Sequence, residues 1–157
     1  VIVMEHLDFK GKKPKHKKQR LHMWRKRDIQ KIVMHQAHRS GIRVRFVNAR
    51  NTSRLAFDGT GEVVRDKNNM ARCRFSSGKQ YNSDLNASYN IGARYFIREY
   101  LKPFPATDRS SLLAKVPEVE RRTICTLSTL ISLYAVLSCQ PASASEFWPH
   151  GGNESGA

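Results

Sequence analysis

A mixed α/β domain followed by a low-order tail is the fold class predicted for this 157-residue chain. Three observations predict it. The chain opens on an apolar, β-prone run, Val1-Ile2-Val3-Met4. A period-two alternation of apolar and basic residues recurs over Ile42-Arg43-Val44-Arg45-Phe46-Val47. Two stretches of helical periodicity, Arg20 to Arg39 and Asp84 to Leu101, are interleaved with these strands.

Taken in order, Val1 to Met4 reads as a strand buried on both faces, ending at Glu5. A basic loop follows from about Lys10 to Lys18. In the first helix Leu21, Trp24, Ile29, Ile32 and Val33 fall within half the circumference at 100° per residue, and Ser40-Gly41 supplies the stop. The strand from Ile42 to Val47 presents Arg43 and Arg45 on an exposed face. Asn48 to Asn82, rich in Gly, Asn, Ser and Arg, reads as loops and short hairpins. The second helix has Asp84 at or near its N-cap, where unpaired N–H groups and the helix dipole favour a carboxylate. Its expected buried face is Leu85, Ala87, Ile91, Phe96, Ile97 and Tyr100.

The prolines of Lys102-Pro103-Phe104-Pro105 end the regular pattern, so residues 103–157 read as a linker and low-order tail. Within it, Ser110 to Lys115 suits a turn of helix. Ile124 to Cys139 is apolar but interleaved with Ser and Thr, and suits either a short surface helix or an unstructured segment. Gln140 to Ala157 is rich in Ser, Ala, Gly and Pro.

Charge divides at the same place. Residues 1–102 hold 24 Lys and Arg against 8 Asp and Glu, a net +16, whereas residues 103–157 carry a net −1. The densest run includes Lys12, Lys13, Lys15, Lys17, Lys18, Arg20, Arg25 and Arg27, with no carboxylate between Asp8 and Asp28. Such a block repels itself, and a polyanion relieves the repulsion by releasing its counterions, so nucleic acid is the favoured partner. A membrane surface fits less well, because Gly11 and Pro14 break the run and no apolar helix face accompanies it. No apolar stretch reaches the roughly 18 residues of a membrane span. Cys73, Cys125 and Cys139 are an odd number at unrelated spacings, which fits a reducing compartment rather than a disulfide framework.

Two acids stand out against the basic background. Glu5 ends the first strand, and Asp84 begins the last helix inside Tyr81-Asn82-Ser83-Asp84-Leu85-Asn86-Ala87-Ser88-Tyr89-Asn90-Ile91-Gly92. Carboxylates from separate elements are what a phosphodiester nuclease needs to hold Mg²⁺, which prefers hard oxygen ligands and keeps several waters. Their spacing alone fits a strand-end surface charge and a helix cap equally well. His35 and His38, three apart on the first helix, lack a third partner for a metal.

Residues 1–102 resemble the C-terminal end of TnpB (OrfB) proteins, the transposon-encoded RNA-guided nucleases related to compact type V CRISPR effectors. The resemblance rests on a strand ending in a carboxylate, the Lys-rich loop, the Trp24-bearing helix, the strand Ile42 to Val47 and the Thr52-Ser53 step. Its most specific part is Asp84 to Ile91, similar to the family's D-x-N-A-x-x-N-I signature. The resemblance implies part of a ribonuclease-H-like (RuvC) domain, with Glu5 and Asp84 as catalytic, Mg²⁺-binding carboxylates. It implies DNA and guide RNA as partners and a cytoplasmic, nucleoid-associated place in a prokaryote. Lys12, Lys13, Lys15, Lys17, Lys18, Arg20, Arg25, Arg27, Arg43 and Arg45 are then the expected nucleic-acid contacts.

The chain departs from the family in three ways. The family's first catalytic Asp lies on a strand upstream of anything in this sequence, so weak or absent Mg²⁺ binding and inactivity of this chain alone are expected. The insert over 49–82 has lost its zinc ligands. The family's cysteine positions fall on Ala56 and Gly59 and, counting back from Gly78, on Arg74 and Ser77, with Cys73 one residue out of register. Four ligands are needed for structural zinc, so none is expected here. Residues 103–157 match no catalytic part of the family. A non-catalytic basic DNA- or RNA-binding module and a decayed reading frame are the alternatives that the same residues leave open.

Overall fold

The computed structural model of the protein describes residues 1–6 and 17–139. The first strand, β1 (Ile2–His6), connects through helix α1 (Lys17–Arg39) to β2 (Val44–Asn48). The two strands pair in parallel, in register from Ile2↔Val44 to His6↔Asn48. Parallel strands need a crossover of a dozen or more residues, and α1 provides it. The helix stops in a Schellman arrangement: Gly41 adopts φ +65°, its N–H reaches the His38 carbonyl, and the Ile42 N–H reaches that of Ala37.

Two expectations for this unit are corrected. β1 is half-buried, not covered on both faces. On α1 the buried stripe runs through Gln30, Val33 and Ala37, while Ile29 and Ile32 are exposed. An arc drawn by residue type overlooks Ala37, which is buried.

The segment expected to be loops and hairpins forms an antiparallel sheet of β3 (Val64–Arg65), β4 (Arg72–Arg74) and β5 (Gln80–Asn82). It packs around Ala56, Cys73 and Phe75, with Phe57, Val63 and Tyr81 at the edge. Phe57 meets Phe75 edge to face at 5.4 Å between centroids, and Tyr81 at 5.1 Å.

Helix α2 (Ser83–Leu101) follows β5 directly. Its N-cap is Asn82, whose side-chain oxygen accepts from the Asp84 and Leu85 N–H groups, so Asp84 lies in the first turn rather than at the cap. The buried face also differs from expectation. It consists of Ser83, Asn86, Asn90, Ala93, Arg94, Tyr95 and Ile97, whereas Leu85 and Phe96 are exposed. Asn86, Asn90 and Arg94 recur every four residues and therefore share one side of the helix.

Beyond Pro105 the described residues are ordered into packed helices, unlike the low-order tail expected there. Helix α3 (Ala106–Lys115), a 3-10 helix (Pro117–Glu120) and α4 (Leu127–Ser138) close on α2. Ile97, Val116, Val119, Cys125 and Leu133 form the shared core. Thr126 and Thr129 cap α4 reciprocally, so the hydroxyl residues that obscure its apolar pattern also start the helix. Gln140 to Ala157 lies outside the described residues.

Arg94 ties these parts together. Its Nη1 donates to the carbonyls of Asn48 (2.6 Å) and Arg50 (2.7 Å), its Nη2 to that of Thr123 (2.9 Å) and its Nε to that of Cys125 (3.2 Å). One guanidinium thus joins the end of β2, the loop after it, α2 and the C-terminal segment. Burial lowers its pKa from the ordinary value, and the neighbouring Cys125 and Glu5 act in the opposite sense.

Two measurements test this packing. Arg94→Lys retains a charge but loses the planar fork, leaving buried carbonyls without donors, and is expected to lower the urea-unfolding free energy by about 2–4 kcal/mol. A thiol reagent should label Cys139, which is exposed, before unfolding, and the buried Cys73 and Cys125 only in denaturant. Burial raises the Cys125 pKa, with Arg94 opposing, which further slows that thiol.

Candidate functional site

Glu5 lies on β1 opposite Val47 of β2. Three elements converge on it. From α1, Gln30 Nε2 donates to the Glu5 carbonyl at 2.9 Å. From the loop after β2, Thr52 Oγ1 donates to Glu5 Oε1. From α2, the Arg94 guanidinium is close enough for the two charges to interact. The carboxylate is therefore held at a defined place and is not a free strand-end charge.

Thr52 is itself fixed. It is 1% exposed, and its carbonyl accepts from Asn90 Nδ2 at 3.0 Å. The same amide reaches the Leu55 carbonyl at 2.9 Å, which also accepts from Asn86 Nδ2 at 2.8 Å. Asn86 Oδ1 takes the Phe57 N–H at 2.9 Å. Two fully buried amides one helical turn apart thus grip residues 52–57, the segment joining the Glu5 cluster to the hairpin sheet.

Asp84 is exposed on the first turn of α2, six residues before Asn90, which is about 9 Å of axial rise. No hydrogen bond or ion pair among the described residues brings its side chain into the Glu5 cluster, and none of them form a group of three or more His, Cys, Asp and Glu able to hold a metal. Both carboxylates carry the hard oxygens that suit Mg²⁺.

The hairpin does not fit zinc. At the positions where the resemblance places ligands, Ala56 is fully buried, Gly59 lies against Ser128, and Arg74 and Ser77 are exposed. Cys73 is buried with its Sγ 3.5 Å from the Tyr81 carbonyl. The turns there are closed by backbone: Gly59 N–H to Ala56 O at 3.2 Å, and Gly78 N–H to Phe75 O at 2.9 Å.

Of the expected nucleic-acid contacts, Arg25, Arg43 and Arg45 are exposed. Lys17, Lys18, Arg20 and Arg27 fall on α1. Lys12, Lys13 and Lys15 lie outside the described residues. The exposed Arg65, Arg72, Arg74 and Lys79 extend the basic surface onto the hairpin sheet, which sequence reasoning did not single out. It also gave no role to Gln30 or Arg94, and took Asn86 and Asn90 only as part of the D-x-N-A-x-x-N-I signature. The signal for the three on α2 was the four-residue recurrence of polar side chains, which is ordinarily the mark of a solvated face.

Among the described residues no helix is long and apolar enough to cross a membrane. No curated protein and no solved structure is significantly similar to the chain. Residues 27–91, from α1 through the hairpin sheet into α2, match the family described as Cas12f1-like, TNB domain, and this match supports kinship of the chain with TnpB- and Cas12f-like proteins.

Proposed function

We propose that this chain is a nucleic-acid-binding part of a transposon-associated, TnpB-type RNA-guided DNA endonuclease. The observation that carries the reading is the family match over residues 27–91, set within a module of net charge +16. Its partners are then DNA and a guide RNA. Residues 1–102 supply the C-terminal part of a RuvC-like, ribonuclease-H-like domain, and residues 49–82 stand where related proteins carry a zinc ribbon. Glu5 and Asp84 contribute two of three metal-binding carboxylates. The third would be an Asp on another strand of the same sheet.

Bound there, Mg²⁺ would supply an activated water and stabilise charge at the scissile phosphate. The rest is the work of the chain's own residues. Arg25, Arg43, Arg45 and the basic run from Lys12 to Arg27 draw in the phosphate backbone, and Thr52 and Gln30 hold Glu5 in place.

A non-catalytic DNA- or RNA-binding module is the second reading. The exposure of Asp84, with no hydrogen bond or ion pair from its side chain to Glu5 among the described residues, favours it.

Binding and cleavage separate these readings. The chain is expected to retain single- and double-stranded nucleic acid with little sequence preference. With about six or more phosphate contacts, affinity falls at least about a thousandfold between 50 and 200 mM salt. A chain that fails to shift nucleic acid even at low salt overturns both readings. Fused to an upstream TnpB segment bearing the first catalytic Asp, the chain should support Mg²⁺-dependent cleavage, and Glu5→Ala or Asp84→Ala should abolish it while leaving binding within about twofold. Undiminished cleavage by either variant removes that residue from the metal site. A fusion that binds but never cleaves supports the second reading.

A further inference from the structure

We infer that Thr52 is the positioning residue for the Glu5 carboxylate, holding it by a hydroxyl proton that has a second acceptor within reach. The inference rests on the reading of Glu5 as a divalent-cation ligand and adds to it a residue that acts through Glu5 without touching metal or substrate.

Thr52 Oγ1 has one proton and two acceptors. Glu5 Oε1 is one, and the Ala49 carbonyl, 3.0 Å away, is the other. A hydrogen bond to an ionised carboxylate is about twice as strong as one to a neutral carbonyl, so in the free protein the proton goes to Glu5. That bond fixes the rotamer of a flexible side chain and aims its second oxygen. A cation taken up on that second oxygen leaves the Thr52 bond to Oε1 in place, so the outer-shell partner is kept in the bound state. Thr52 is only 1% exposed, so water does not compete for its hydroxyl.

The placement of Thr52 is not a local accident. Its carbonyl is held by Asn90 and the loop after it by Asn86 and Asn90 together, so its hydroxyl is aimed from the rigid helix α2. The same grip continues to Phe57, whose N–H bonds Asn86 and whose ring sits in the aromatic cluster of the hairpin. Thr52 is thus the point at which the hairpin sheet reaches Glu5. Serine retains the hydroxyl at this position, and valine retains the shape without it.

The test uses the full chain, Mn²⁺ as a paramagnetic probe, and line broadening of the amide resonances of Met4 to His6. Wild type and Thr52→Ser should broaden at similar Mn²⁺ concentrations, while Thr52→Val should need about tenfold more or greater, the usual cost of losing an outer-shell partner. Glu5→Gln separates the two levels of the claim. If it leaves the broadening unchanged, Glu5 is no ligand and both the site reading and the role of Thr52 fall. If Glu5→Gln abolishes the broadening but Thr52→Val matches wild type, the site stands and the positioning role is overturned. A second measurement needs no variant: in the wild-type chain, the Thr52 hydroxyl proton should stay bonded to Glu5 and protected from exchange when Mg²⁺ is added. A hydroxyl resonance lost to solvent exchange while the Glu5 signals move overturns the proposal.

Discussion

The Arg94 guanidinium is the constraint on which the rest of the structure depends. It offers five N–H donors in a rigid plane, and its four hydrogen bonds reach carbonyls in three separate parts of the chain. Helix ends and loops leave carbonyls unpaired, and burying them without donors is costly. By satisfying four at once, Arg94 allows the end of β2, the loop after it and the segment before α4 to meet α2 without water between them. The positive charge is not isolated in doing so, because Glu5 lies near enough to interact with it. The residue that joins the helical C-terminal segment to the strands is therefore also part of the electrostatic surroundings of the candidate site.

Asn86 and Asn90 extend the same logic toward the N-terminus of α2. Where an apolar helix face would drive packing without direction, these amides choose specific partners: two carbonyls and an N–H within residues 52–57. Direction is what a site needs. Leucine at either position would bury more apolar area yet would leave the loop free to slide relative to Glu5. Thr52 and Gln30 then carry the order to the carboxylate and its backbone. The polar stripe costs the helix intrinsic packing energy and returns registration between α2, the loop and the opening strand.

How much of this was legible beforehand depended on whether local signals and tertiary packing agreed. The strand pair and both long helices follow from periodicity, and Gly41 marks the end of α1 through its positive φ. The buried face of α2 was misread because Asn86, Asn90 and Arg94 look like solvated positions until their partners, more than 25 residues away in sequence, are known. Leu85 and Phe96 were assigned to the core by residue type and are exposed. Helix α4 is ambiguous in sequence because Ser and Thr dilute its apolar stripe, and two of them, Thr126 and Thr129, form the cap that starts it. For the candidate site, Glu5 and Thr52 could be picked out through a family resemblance, and nothing in their spacing foretold that a hydroxyl and a carboxylate 47 residues apart would be joined.

The hairpin sheet has a consequence of its own. In a metal-pinned ribbon, thiolates connect protein folding to zinc supply and to the redox state of the cell, because oxidation or chelation removes the cross-link. Here the corresponding turns are held by backbone bonds and by the mutual packing of Phe57, Phe75 and Tyr81, with Lys79 over two of the rings. Its integrity depends on ring geometry and water exclusion, on which a chelator does not act, and the one thiol in this core, Cys73, is buried. Arg74 and Ser77 face solvent, so their identities can drift toward whatever the surface contacts without unmaking the fold beneath it.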